Sequence, residues 1–127
     1  TVVYKKNNYE KNFLIIDAGM NDLLRPTLYG SHHKITKIIQ SQGDEGIYDI
    51  VGPVCETGDV IGRNVPINDA KSGDILIIHS AGAYGATMSS NYNTRPKIPE
   101  ILVSRDQASL IRKKETISQI LENEVIV

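Results

Sequence analysis

Short apolar runs rich in Val, Ile and Leu alternate with turn residues along this chain, and the pattern predicts a mainly β fold. Val2-Val3-Tyr4 opens strand-like, and Phe13-Leu14-Ile15-Ile16 is a compact run closed by Asp17-Ala18-Gly19. Residues 33–39 read as a strand that ends before Gln42-Gly43-Asp44. Residues 48–51 lead through Gly52-Pro53 to Val54-Cys55. Residues 60–67 contain Gly62 and Pro66, and proline cannot donate to a ladder, so this strand is expected at an edge or with a bulge. Ile75-Leu76-Ile77-Ile78 follows the turn Ser72-Gly73-Asp74 and is the strongest candidate for a buried strand. Residues 99–103 and 109–112 complete the set.

Helix signals are few. Asn21-Asp22 precedes Leu23-Leu24-Arg25-Pro26, where one or two helical turns are expected. Pro26 pushes the preceding residue towards extended geometry, so Arg25 is expected as a cap and not as a helical residue. At the other end, Thr116 and Gln119 have capping-box spacing. Ile117, Ile120, Leu121 and Val125 then share one helical face, which predicts a short amphipathic helix packed on the sheet. No repeat and no linker divides the chain, so residues 1–127 are expected to form a single β-domain. Residues 81–93 are rich in Gly, Ala and Ser, and composition leaves two readings open. They form a surface connector, or backbone that comes close to a ligand or partner.

A length of 127 residues fits one compact domain, and 40% hydrophobic residues support a core. Fourteen basic and fifteen acidic residues leave a net charge of −1, which gives no electrostatic footprint for nucleic acid or an anionic membrane. No apolar run approaches the roughly 18–20 residues that span a bilayer. One cysteine cannot form an internal disulfide, and no secretory signal opens the sequence, so a cytoplasmic location is expected. The chain begins at Thr1, directly in a strand-like run, and is expected to be a piece of something longer.

Candidate chemistry centres on Cys55-Glu56-Thr57-Gly58-Asp59. A lone cysteine is usually a small buried hydrophobe. Here it sits at a strand end beside a carboxylate, whose charge disfavours the thiolate. A thiol with an ordinary pKa of about 8.5 then stays protonated near neutrality, which makes a proton donor and not a nucleophile. Adjacent residues on a regular strand point to opposite faces, so Cys55 and Glu56 can share a site only if the strand ends or bulges there. Arg25 has a planar fork suited to a carboxylate, with Tyr29 four residues on. The plain alternatives are a solvated arginine and a half-buried tyrosine. His32-His33, with no cysteine or spaced carboxylate nearby, makes a poor metal site, so no metal is expected. No Walker loop, dinucleotide fingerprint, HExxH or Ser-His-Asp spacing appears.

The order of motifs adds to this reading. Asp17-Ala18-Gly19-Met20-Asn21-Asp22-Leu23-Leu24-Arg25-Pro26, with Leu28-Tyr29, resembles the signature of diaminopimelate decarboxylases. So do Cys55-Glu56-Thr57-Gly58-Asp59, Gly82-Ala83-Tyr84, Tyr92-Asn93, Arg95-Pro96 and the stretch from Leu110 to Thr116. The resemblance runs over essentially the whole chain. It implies an alanine-racemase-like C-terminal β-barrel or sandwich domain with one or two short helices, including a C-terminal helix. It further implies an enzyme that uses pyridoxal 5′-phosphate to convert meso-2,6-diaminopimelate into L-lysine and carbon dioxide, the last step of lysine biosynthesis. The family's cofactor-binding (β/α)₈ barrel has no counterpart in these residues, so the isolated chain is expected to be inactive. By resemblance, Cys55 is the proton donor. Arg25 and Tyr29 contact the substrate, Glu56 reads its distal end, and Tyr84 lies at cofactor and substrate. In the family the cysteine motif completes the partner subunit's site, which implies a homodimer. Related ornithine and arginine decarboxylases resemble one another in a Cys-Asp motif at this point, whereas Cys55-Glu56 carries the longer acid. The competing readings are a decarboxylase of another basic amino acid and a non-catalytic β-module for dimerisation.

Overall fold

The computed structural model describes residues 1–39 and 42–125. Four strands form the main sheet: β1 (Val2–Asn7), β2 (Asn12–Ile16), β4 (Glu45–Val51) and β5 (Val60–Asn68). Their order is β1-β2-β4-β5, with β2 and β4 parallel and the other pairs antiparallel. The β1–β2 turn is held by Asn8, whose side-chain oxygen accepts from the amides of Glu10 and Lys11. This is the local bond that makes Asn a turn former. Between β2 and β4 run α1 (Arg25–Tyr29) and β3 (Ile35–Lys37), and β3 pairs with β6 (Leu76–Ile78). After α2 (Gly82–Met88) come the hairpin β7 (Glu100–Ser104) and β8 (Gln107–Arg112), then α3 (Ile117–Ile120).

The core lies between the main sheet and the β3–β6 pair. Leu14 and Ile16 of β2, Tyr48 and Ile50 of β4, and Ile61, Val65 and Ile67 of β5 are buried, and Ile35 of β3 joins them. Complete burial of a side chain such as Leu14 or Ile50 contributes about 1.5–3 kcal/mol. Gly62 lets β3 approach, because a Cβ there would lie 2.8 Å from the Ile35 side chain. Strand β5 closes one edge of the sheet, as its proline predicts, and it is bulged. Tyr48 pairs with Val65 but Ile50 pairs with Gly62, so β5 carries one extra residue there. Asn64 adopts a φ of 52° at the bulge and donates its amide to the buried carboxylate of Asp49. Burial pushes the Asp49 carboxyl up, but Lys11, the Asn64 amide and Arg63 outweigh it and hold the group below its ordinary value.

Several expectations need correction. The chain is mainly β, but the described strands form three separate sheets and no closed barrel. Three short α-helices appear where one or two were expected. The strand expected over residues 33–39 shrinks to Ile35–Lys37. The run 75–78 is not deeply buried, for Ile75 and Ile77 are largely exposed. It pairs with β3 alone, so only one of its faces meets the core. The capping box at Thr116 is present, with Gln119 bonded to it in both directions. The helix it starts has only four residues, and Ile117 and Leu121 are half-exposed rather than packed on the sheet. Among the described residues, no helix is long and apolar enough to cross a membrane.

Candidate functional site

The Gly52-Pro53 step ends β4 at Val51, and the chain turns irregularly before β5 begins at Val60. Asp59, 3% exposed, organises this turn. One carboxylate oxygen accepts from the amide of Val54 at 2.7 Å and the other from Met20 at 2.6 Å. Gly52 donates its amide to the Asp59 carbonyl, and a Cβ on Gly52 would collide with the Asp59 carboxylate. Cys55 and Glu56 are therefore carried on a turn and not on a strand, and both are exposed. The opposite-faces constraint of a regular strand does not apply to them. The buried-hydrophobe alternative for Cys55 is not what the fold adopts.

The second component is α1. Leu24 is its N-cap, Arg25 its first residue and Pro26 its second. Arg25 is thus inside the helix and not its cap. Proline is tolerated in a first turn because the amide it lacks has no intrahelical partner there. Arg25 and Tyr29 are one turn apart, and the guanidinium carbon lies 5.7 Å from the Tyr29 ring centre and 5.0 Å from that of Tyr84. Such contacts contribute about 0.5–1 kcal/mol each at exposed sites. Among the described residues no carboxylate pairs with Arg25, so its charge is uncompensated. The hydroxyl of Thr27 donates to the Gly58 carbonyl at 2.6 Å and ties α1 to the cysteine turn. A Cβ on Gly58 would lie 2.9 Å from the Thr27 methyl, so glycine permits this approach.

The third component is the small-residue segment. The surface-connector alternative is replaced by helix α2, which presents Tyr84, and by a 3₁₀ turn over Tyr92–Thr94. Arg95 fastens this segment, donating to the side chain of buried Asn21 at 2.9 Å and to the Asp17 carbonyl at 2.7 Å. Asn91 donates to Glu115, and Glu115 also accepts the Lys97 amide. Those hydrogen bonds, from Lys97 first and then Asn91, hold the Glu115 carboxyl below its ordinary value against the opposing effect of burial. The phenol of Tyr92 donates to Glu56 at 3.2 Å. That bond, and the Glu56 charge behind it, push the Tyr92 phenol up, with smaller contributions from burial and from nearby Cys55. Tyr92 therefore stays a protonated donor.

The residues singled out from sequence fall into two adjoining groups: Arg25 with Tyr29 and Tyr84, and Cys55 and Glu56 with Tyr92. Among the described residues no ion pair joins Arg25 to Glu56. Sequence reasoning gave Tyr92 no role at the site, and its only signal was its place in the Tyr92-Asn93 motif. His33 is buried with Nδ1 3.1 Å from the His79 carbonyl, and His32 is exposed. The described residues contain no group of three or more metal-ligating side chains.

The fold thus brings a thiol, a carboxylate and an unpaired guanidinium together on joined surface segments of a sheet domain. Comparisons with known proteins give that domain its family. Residues 1–82 match the family described as pyridoxal-dependent decarboxylase, C-terminal sheet domain, and the chain belongs to it. It is 46% identical over 123 residues to the diaminopimelate decarboxylase of Zymomonas mobilis, covering 97% of this chain and 29% of that protein. It is 48% identical over 120 residues to that of Haemophilus influenzae, covering 94% of this chain and 29% of that protein. The crystal structure of diaminopimelate decarboxylase from M. jannaschii in co-complex with L-lysine is similar with a TM-score of 0.94 and 33% identity. It covers 99% of this chain and 29% of that one. The chain thus spans less than a third of the relatives it matches.

Pyridoxal phosphate is the group on which this family depends. Tyr84 offers an exposed ring and hydroxyl. None of the site side chains is an amine that could bond the cofactor aldehyde. The residues present fit one side of the group.

Proposed function

We propose that residues 1–127 form the single sheet domain of a diaminopimelate decarboxylase, supplying the substrate-binding and proton-donating half of its site. The enzyme releases carbon dioxide from meso-2,6-diaminopimelate and leaves L-lysine. The observation that carries this reading is the exposed turn that holds Cys55 and Glu56 side by side, with the Tyr92 phenol on Glu56. A substrate with an amino-acid head at each end needs a cation and an anion for the end that does not react. Arg25 binds the distal carboxylate and Glu56 accepts from the distal ammonium. Tyr29 and Tyr84 flank Arg25, and Tyr84 also touches the cofactor, which is held mainly by the part of the enzyme beyond this chain.

The cofactor, when bound, supplies an electron sink for the pair left as carbon dioxide departs. Cys55 then gives its Sγ proton to the carbon that has lost the carboxylate, and the thiolate regains a proton from solvent. General acid catalysis of this kind contributes about 10²–10⁴-fold in rate. The exposed side chains of Ile101, Leu102, Val103, Leu110 and Ile111 support a larger assembly, because so much apolar surface on one hairpin calls for cover. That assembly is a cytoplasmic homodimer in which the cysteine turn completes the partner's site.

The test is carbon dioxide release by the product of the complete gene, with pyridoxal phosphate added and meso-diaminopimelate, ornithine and arginine offered in parallel. Release from diaminopimelate alone is expected. Release from ornithine or arginine instead would keep the chemistry and overturn the roles given to Arg25 and Glu56.

A further inference from the structure

Tyr92 reaches the site from the strap that follows α2, and its phenol donates to Glu56 at 3.2 Å, while its amide meets the nearby Ser90 hydroxyl. The Glu56 carboxylate is held at both oxygens. Oε1 accepts from the Thr57 amide at 3.0 Å, and Oε2 accepts from the Tyr92 phenol at 3.2 Å. A carboxylate has about four lone-pair positions, so each oxygen keeps room for a further donor. An exposed glutamate on a turn is otherwise free to sample several rotamers. Two donors, one at each oxygen, select one.

The way Tyr92 itself is held points the same way. Asn91 bridges the Arg95 carbonyl and Glu115, and Arg95 grips buried Asn21, so the backbone is fastened on both sides of the tyrosine. Between these fastenings Asn93 and Thr94 adopt φ of 58° and 56°. Left-handed backbone is rare for a β-branched residue such as Thr94, and strain of this kind persists where surrounding contacts over-determine it. The strained turn directly follows the tyrosine that meets Glu56.

We propose that Tyr92 is a positioning residue for specificity, holding the Glu56 carboxylate where it meets the distal ammonium of the substrate. The inference rests on the reading of Glu56 given above. It concerns substrate recognition and leaves the proton-transfer step to Cys55.

The test uses the complete enzyme with Tyr92→Phe, Glu56→Ala and the double variant. Tyr92→Phe keeps the ring and removes only the hydroxyl. It is expected to raise KM for meso-diaminopimelate about three- to tenfold and to weaken inhibition by L-lysine, which retains the distal head, by the same factor. Turnover at saturation and the unfolding midpoint stay at wild-type values. In the Glu56→Ala background the same change has no further effect, because the group it positions is gone. A wild-type KM and L-lysine affinity in Tyr92→Phe overturns the inference, as does a loss of equal size in both backgrounds. Either result leaves the proposed reaction standing, since the wild type still releases carbon dioxide. A wild type that releases none removes the reaction and this inference together.

Discussion

The cysteine turn at residues 54–59 and the strap at residues 89–95 meet at the Glu56–Tyr92 hydrogen bond, yet they are fastened in different ways. The turn hangs from the Asp59 carboxylate, which is buried and accepts two backbone amides. The strap is held by side chains at the surface edge, Asn91 with Glu115 and Arg95 with Asn21, and contains no buried residue of its own. Cys55 is therefore placed by the sheet core, whereas the tyrosine partner of Glu56 is placed by a titratable polar network. A proton donor, the role proposed for Cys55, has to meet one carbon atom accurately. A residue that orients a recognition group tolerates a softer mount.

Asp59→Ala breaks this contrast most severely. Two amides in a buried setting lose their acceptor, and about 3 kcal/mol of stability is expected to go with them, read from denaturant unfolding of the complete enzyme. Asn91→Ala in the strap is expected to cost less than about 1.5 kcal/mol. Equal losses would mean that the two segments are mounted alike.

Next in size is Arg25→Ala, which removes a charge without disturbing either fastening. Turnover of meso-diaminopimelate at low substrate concentration is expected to fall about 10–100-fold. Any residual decarboxylation of a substrate without a second carboxylate should fall far less, and equal losses would count against a carboxylate clamp.

The smallest effect is one of pH. The Glu115 carboxyl is held below its ordinary value by the Lys97 amide and then by Asn91, against the opposing effect of burial. A folded-state pKa below the unfolded one means the fastening is complete above the ordinary carboxylate range. It is lost as pH falls through the depressed folded value. Wild type is expected to be slightly more stable than Glu115→Gln at neutral pH, and the difference should shrink in acid. A difference that grows in acid would reverse the assignment.

Much of the fold is legible from local pattern. The strand at 13–16, the bulged edge strand with Pro66 and the capping box at Thr116 each carry their signal within a few residues. The end of β4 before Cys55 is legible in Gly52-Pro53. Helix α2 is not, because Ala-Gly-Ala-Tyr-Gly-Ala has the composition of a loop. The exposure of Ile75 and Ile77 is hidden too, since it depends on which neighbours cover a strand and not on the strand's own residues. Of the candidate site, Cys55, Glu56, Arg25, Tyr29 and Tyr84 are singled out through motif order. The contact of Tyr92 with Glu56 is a hydrogen bond across 36 residues, which no local pattern reports.

Turnover of meso-diaminopimelate by the complete enzyme carrying Cys55→Ala tests the proposed proton donor most directly. A loss of about 10²–10⁴-fold with an unchanged unfolding midpoint is the expected result. Turnover close to that of wild type would take Cys55 out of the mechanism.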